Sequence, residues 1–149
     1  MIYEGENNLE SIERIIKEQR PDLVIIDQLT QVRTAKRTKD IRERYAEITA
    51  ELKHIAIEYK TAVLLLTQLN RAATDQSRPT LENLHESDST GQNADVVLLM
   101  ARKDDESRPE FARRTDITIY VVKNRGGEDG QKIPQVFDGS RFTFHNVSY

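Results

Sequence analysis

Asp22-Leu23-Val24-Ile25-Ile26-Asp27 is a short unbroken apolar run closed at both ends by carboxylates. Four apolar residues with no polar alternation suit a strand covered on both faces in a parallel sheet. An acid directly after such a strand sits where it can organise a magnesium ion beside phosphate. Upstream, Leu9, Ile12, Ile15 and Ile16 share one face at helical spacing, with Asn8 placed to cap the first turn and Pro21 just past the end. A helix is therefore expected over residues 9–19. Downstream, residues 28–39 read as a loop. Ile41, Tyr45, Ile48, Leu52, Ile55 and Tyr59 then recur at steps of four and three, which predicts a long amphipathic helix from 40 to 59. Residues 62–67, Ala-Val-Leu-Leu-Leu-Thr, form a second continuous apolar run, so strand, helix and strand follow in order and imply a right-handed parallel crossover.

Residues 71–80 are polar and contain Pro79, as expected of a loop, and a short helical stretch is expected around 81–93. Asp95 to Ala101 reads as a third buried strand. From Asp116 to Lys123 the chain alternates and is rich in β-branched residues, Gly126, Gly127 and Gly130 mark a turn, and Lys132–Phe137 and Arg141–Phe144 continue as short strands. The tail is thus a β-meander at one edge of an α/β fold whose central sheet is mostly parallel. With 149 residues, 37% of them hydrophobic, and no break in composition, a single domain over 1–149 is expected. The chain has no cysteine, and no apolar run approaches the ~20 residues of a spanning helix. The first residues are acidic and polar, unlike a signal peptide, so a cytoplasmic protein without a membrane segment is expected. A formal charge of −3 gives no general attraction to nucleic acid, leaving any such contact to local basic loops.

Two of the apolar runs lead into polar groups at the same end, Asp27 and Gln68. Asp27 can orient water on magnesium. The Gln68 amide, both donor and acceptor, can sense a terminal phosphate or position the attacking water. The plainer reading, strands that simply end in polar residues, stands beside it. Lys123-Asn124-Arg125-Gly126 puts two cations at the end of another strand, where Arg125 can fork onto phosphate oxygens and Lys123 can act as a point charge. A solvated basic hairpin is the alternative. Arg33, Lys36, Arg37 and Lys39 form a basic loop with no acid and no aromatic, able to grip a phosphate backbone but not to stack bases. His54, His85 and His145 are too scattered to suggest a metal cluster. The six glycines, at 5, 91, 126, 127, 130 and 139, do not build a Gly-x-x-x-x-Gly-Lys-Ser/Thr phosphate loop.

Taken in order, Leu23-Val24-Ile25-Ile26-Asp27, Leu65-Leu66-Thr67-Gln68-Leu69-Asn70-Arg71, Leu84-His85-Glu86-Ser87-Asp88-Ser89 with Gln92-Asn93-Ala94-Asp95, and Lys123-Asn124-Arg125 resemble the motor domain of DnaB-type replicative helicases across nearly the whole chain. The resemblance implies a RecA-like P-loop NTPase core that assembles into a homo-hexameric ring. Such a ring hydrolyses ATP with Mg2+ at subunit interfaces, moves along single-stranded DNA, and meets primase and a helicase loader. It casts Asp27 as the magnesium-organising acid and Gln68 as the γ-phosphate sensor. Lys123 and Arg125 become the cations offered to the adjacent subunit's ATP. His85 to Asp88 align with a loop facing DNA in the central channel, so His85 and Glu86 join Arg33, Lys36, Arg37, Lys39 and Arg71 as DNA-contact candidates. His85 stands where the family commonly has arginine and Asp88 where it has glycine, which weakens a cation and adds an anion beside phosphate.

The family's phosphate loop and catalytic glutamate belong to a part with no counterpart in these residues. The chain is thus expected to be a carboxyl-terminal portion of the motor, with Met1 not the motor's natural start, and to hydrolyse nothing alone. Two other readings stay open: a non-enzymatic RecA-like loader or regulatory module, and another RecA-like ATPase of recombinase or clock type.

Overall fold

The computed structural model describes residues 3, 5, 7–35, 40–69, 79–81, 88–102 and 114–147. Among them no helix is long and apolar enough to cross a membrane. The chain divides into two compact units, residues 1–71 with 82–94 and residues 72–81 with 95–149.

The first unit is built on local signals. Helix α1 spans Leu9–Gln19. Asn8 is extended and its Oδ1 accepts a hydrogen bond from Ser11 N at 2.7 Å, satisfying one of the donors that a helix start leaves free. Arg20 ends the helix in the left-handed region, its N–H bonded to the Ile16 carbonyl. Strand β1, Leu23–Ile26, pairs in parallel with β2, Ala62–Leu65, with Leu23 opposite Ala62 and Ile26 opposite Leu65. Between them runs α2, Ile41–Tyr59, capped by Asp40, whose Oδ1 accepts from Arg42 N at 2.8 Å. The described part of the next helix, α3, is Asp88–Asn93.

The core of this unit is Leu9, Ile12 and Ile16 of α1 against Tyr45, Ile48, Leu52 and Ile55 of α2, with Val24, Ile26 and Leu65 packed on it from the sheet. Ile41, expected on the buried stripe, is exposed at the very start of α2. Leu29 and Val32 also belong to this core, although they lie in the stretch expected to be a plain loop. That stretch opens as a 3-10 turn, Leu29–Gln31, which drives Leu29 to complete burial. Asn93 ties α3 to α2: its Nδ2 donates to Thr49 Oγ1 at 2.9 Å, and that buried hydroxyl donates to the Tyr45 carbonyl at 2.8 Å.

Among the described residues, the two apolar runs are not covered on both faces as their unbroken apolar character predicts: Val24, Ile26 and Leu65 of β1 and β2 pack on the helical core, while Leu23, Ile25 and Leu64 are exposed. An uninterrupted apolar run reports that both faces are suited to burial, not that both are buried within one chain.

The second unit is a four-stranded antiparallel sheet in the order β3-β4-β5-β6, comprising Val96–Arg102, Arg114–Asn124, Lys132–Asp138 and Thr143–Asn146. The expected meander is present, and the apolar run after Asp95 is its first strand. That run is half-covered rather than buried throughout: Val97 and Leu99 are buried, whereas Val96, Leu98 and Met100 are exposed, the alternation of a sheet with one covered face. The parallel ladder of the described residues is the β1–β2 pair. Between β4 and β5, Gly130 takes a positive φ of 78° and its N–H bonds to the Val121 carbonyl at 2.7 Å, so the turn favours glycine there. At the last hairpin the buried Asp138 accepts from Ser140 Oγ at 2.5 Å and Ser140 N at 3.0 Å. The Ser140 hydroxyl holds its carboxyl below the usual value, with Arg114 Nε 3.7 Å away adding to the effect.

Candidate functional site

Asp27 and Gln68 follow the carboxyl ends of two strands that are hydrogen-bonded neighbours. The ladder runs on beyond the strands themselves: Leu66 N donates to the Ile26 carbonyl at 3.0 Å, and Leu29 N donates to the Leu66 carbonyl at 2.9 Å. The turn that carries Asp27 is therefore sewn to the segment that leads into Gln68. The Asp27–Gln28 peptide is cis. The alternation of exposure established in the strands also continues past them, with Asp27 exposed and Gln28 half-buried on one, and Leu66 exposed, Thr67 half-buried and Gln68 exposed on the other. Both Asp27 and Gln68 are exposed.

Carboxyl edges of parallel strands are where α/β proteins bind ligands, because the connections leave a crevice there. An exposed carboxylate and an exposed primary amide at one such edge offer an oxygen ligand and a paired donor and acceptor. Among the described residues, no three His, Cys, Asp or Glu side chains gather into a metal cage. Asp27 fits the other way of holding magnesium, in which one carboxylate acts together with water and phosphate oxygens.

Lys123 and Arg125 belong to the second unit, at the end of β4. Lys123 is opposite Val97 and Asn124 opposite Val96, and the Arg125 N–H continues the ladder to the Asp95 carbonyl at 2.9 Å. The Asn124 side chain shapes the turn that follows, accepting from Gly126 N at 3.2 Å and donating to the Glu128 carbonyl at 3.2 Å. The Arg125 guanidinium is half-exposed with Nη1 3.6 Å from Asp95 Oδ1. Asp95 is a residue that reading by motif passes over. It enters the sequence pattern only as the end of Gln-Asn-Ala-Asp, and its pairing with Arg125 depends on a strand register that local sequence does not state.

Arg33 has its backbone pinned to the approach of α1, with its N–H bonded to the Asn7 carbonyl at 2.8 Å and its carbonyl accepting from Leu9 N at 3.1 Å, and its side chain is exposed. Lys36, Arg37, Lys39, Arg71, His85 and Glu86 lie outside the described residues.

The chain matches the family model described as "DnaB-like helicase C terminal domain" over residues 6–146. It is 34% identical over 120 residues to the replicative DNA helicase DnaC of Bacillus subtilis (strain 168), a match covering 78% of this chain and 26% of that protein. It spans about a quarter of the length of such curated relatives. In fold it is similar to a DnaB-like replicative helicase whose solved structure concerns its interactions with primase, with a TM-score of 0.81 at 23% identity, over 95% of this chain and 35% of that one. A second solved structure, described as an ATPase domain, also gives a TM-score of 0.81, at 24% identity, over 95% of this chain and 52% of that one. With its RecA-like α/β architecture and a family match running over almost its full length, the chain belongs to the DnaB-like helicase C-terminal domain family.

Proposed function

We propose that these residues are the carboxyl-side part of a ring-forming, ATP-driven replicative helicase motor that translocates on single-stranded DNA and unwinds duplex. The observation that carries this reading is that Asp27 and Gln68, both exposed, follow the carboxyl ends of adjoining parallel strands in a chain of this family. In it Asp27 holds magnesium through water and Gln68 contacts the γ-phosphate. Bound Mg2+ neutralises charge that develops on the phosphates during transfer. Lys123 and Arg125 face the triphosphate of the next subunit in a homo-hexamer, where a head-to-tail contact that closes supplies one such pair per interface. Arginine supplied in this way is worth on the order of 10³ to 10⁵ in rate. Since Arg125 already has a carboxylate beside it, it reaches a neighbouring phosphate only by sharing or leaving Asp95.

Single-stranded DNA contacts are assigned to Arg33, Lys36, Arg37 and Lys39, to Arg71, and to the loop of His85 and Glu86. Primase and a loader are the proposed protein partners, the first supported by the solved relative described with primase. The site of action is the cytoplasm. Family membership favours a helicase over the recombinase or clock-type alternative. The isolated chain is inactive in this reading, because its residues build no phosphate loop.

The test is a chimera in which the part of this chain that matches the Bacillus subtilis relative replaces the corresponding stretch of that protein. Expected are hexamers by sedimentation, DNA-stimulated ATP hydrolysis, and a fall in kcat of about a hundredfold or more for Asp27→Ala and for Gln68→Ala. Hexamers whose hydrolysis survives Asp27→Ala would refute the assignment. Hexamers that bind DNA but hydrolyse nothing would favour the loader module. Turnover by the isolated 149-residue chain that vanishes on Asp27→Ala would show that the expected need for a phosphate loop is wrong.

A further inference from the structure

We infer that Asp95 is a positioning residue for Arg125, holding the guanidinium by one nitrogen while other donors of the same group meet the triphosphate of the neighbouring subunit. The role of Arg125 rests on the motor reading above; the restraint by Asp95 rests on the geometry of β3 and β4. The Arg125 N–H donates to the Asp95 carbonyl at 2.9 Å, and the next pair along the ladder is Val96 opposite Asn124. Asp95 and Arg125 are thus cross-strand neighbours where the ladder ends, and such neighbours keep their side chains within reach. Asp95 Oδ1 lies 3.6 Å from Arg125 Nη1, with both side chains 55% exposed. Exposed pairs of this kind contribute little to folding, so stability does not account for the contact. What the contact alters is the freedom of a long side chain. Ordering an arginine on binding costs free energy, and a carboxylate fixed beside it narrows its rotamers beforehand.

The backbone under Arg125 is shaped as well. The ladder pairs Val97 with Lys123 but Leu98 with Val121, so Val122 is an extra residue inserted in β4 just ahead of the two cations. An insertion of this kind bends and twists its strand and re-aims the side chains beyond it. After Arg125, the Asn124 side chain closes the turn, accepting from Gly126 N at 3.2 Å and donating to the Glu128 carbonyl at 3.2 Å. With the main chain held on both sides, the freedom that remains belongs to the Arg125 side chain. Across the ladder Lys123 meets the apolar Val97, whereas Arg125 meets a carboxylate, so the electrostatic restraint falls on Arg125. A guanidinium carries five N–H donors in a planar fork, more than one carboxylate at one nitrogen takes up. Arg125 therefore keeps Asp95 while it contacts phosphate, and of the two routes to the neighbouring triphosphate it uses sharing rather than release.

The experiment measures ATP hydrolysis by the chimeric hexamer described above and side-chain motion in the 149-residue chain. Arg125→Ala is expected to lower kcat by about a thousandfold. Asp95→Ala is expected to lower kcat by about tenfold with KM for ATP changed less than about twofold, and Asp95→Asn, which keeps an acceptor of the same shape, to recover part of the loss. In the Arg125→Ala background Asp95→Ala is expected to have no further effect, because a residue that acts only through Arg125 has nothing left to position. In the chain alone, NMR relaxation of the Arg125 Nε–H is expected to show a more mobile side chain on Asp95→Ala. Slow hydrolysis by Arg125→Ala together with an undiminished kcat for Asp95→Ala, or losses that multiply in the double variant, overturn this inference and leave the motor reading standing. Full hydrolysis by Arg125→Ala removes that reading's assignment of Arg125, and this inference with it. An Arg125 Nε–H equally ordered with and without the Asp95 carboxylate overturns the inference whatever the chimera does.

Discussion

Arg125 and Asp95 show how little a single residue says until its neighbour is known. Both are half-exposed and the Nη1 to Oδ1 distance is 3.6 Å, so their attraction is largely screened by water. Asp95→Ala is accordingly expected to shift unfolding free energy by less than ~1 kcal/mol in a urea titration. A larger loss would mean that the pair holds β3 to β4 rather than only aiming the guanidinium. Tyr59 gives a residue-level prediction with a pH signature. Its hydroxyl donates to Glu13 Oε1 at 2.9 Å, and this hydrogen bond, helped by desolvation and by the negative charge of Glu13, pushes the phenol from its ordinary value of 10.0 up to about 12. A folded-state value above the unfolded one means that the neutral phenol favours folding. That contribution is complete below pH 10 and disappears as the pH rises through about 12. Tyr59→Phe should therefore be less stable than wild type at pH 8, and the difference should close between pH 10 and 12. Parallel urea midpoints for the two proteins measure it, and a gap that stays constant with pH would disprove the linkage.

At the scale of elements, α1 and α2 are legible in the sequence because their signals are local. Asn8 and Asp40 are short polar side chains just ahead of apolar periodicity, and both cap their helices. Asn8→Ala is expected to cost about 1 kcal/mol, read as a lower melting temperature with faster exchange in the first turn of α1. Asn93 is a polar residue whose role its own segment does not reveal, since its bond to Thr49 spans 44 positions. Asn93→Ala removes a donor to a buried hydroxyl that also serves the Tyr45 carbonyl, and is expected to cost about 1 to 2 kcal/mol by chemical denaturation. The first strand of the second unit is legible as a strand but not in its setting. Val96–Arg102 pairs antiparallel with β4, with an irregularity between Val97 and Leu98, and nothing in Val-Val-Leu-Leu-Met announces that partner.

For the molecule as a whole, each compact unit has its own way of burying apolar surface, one through helices on a parallel pair and the other through an antiparallel sheet. Ile48 is fully buried at the centre of the first unit's core, so Ile48→Ala is expected to cost about 2 to 5 kcal/mol through lost burial and the cavity left behind. In that variant amide exchange should accelerate across α1, α2 and the β1–β2 pair well before β4 and β5, and uniform acceleration would show that the two units unfold as one. The sequence by itself determined the helix ends, the position of most strands, the absence of a phosphate loop from these residues, and the two strand ends that lead into Asp27 and Gln68. These follow from spacing, capping residues and apolar runs, which act over a few residues. Tertiary structure alone decided that Leu29 and Val32 are core, that Asp95 faces Arg125, and that Val24, Ile26 and Leu65 pack on the helices while Leu23, Ile25 and Leu64 are exposed. Those outcomes depend on which distant segment arrives to pair or to cover, and an apolar side chain in a strand has the same local preferences whether or not a partner covers it.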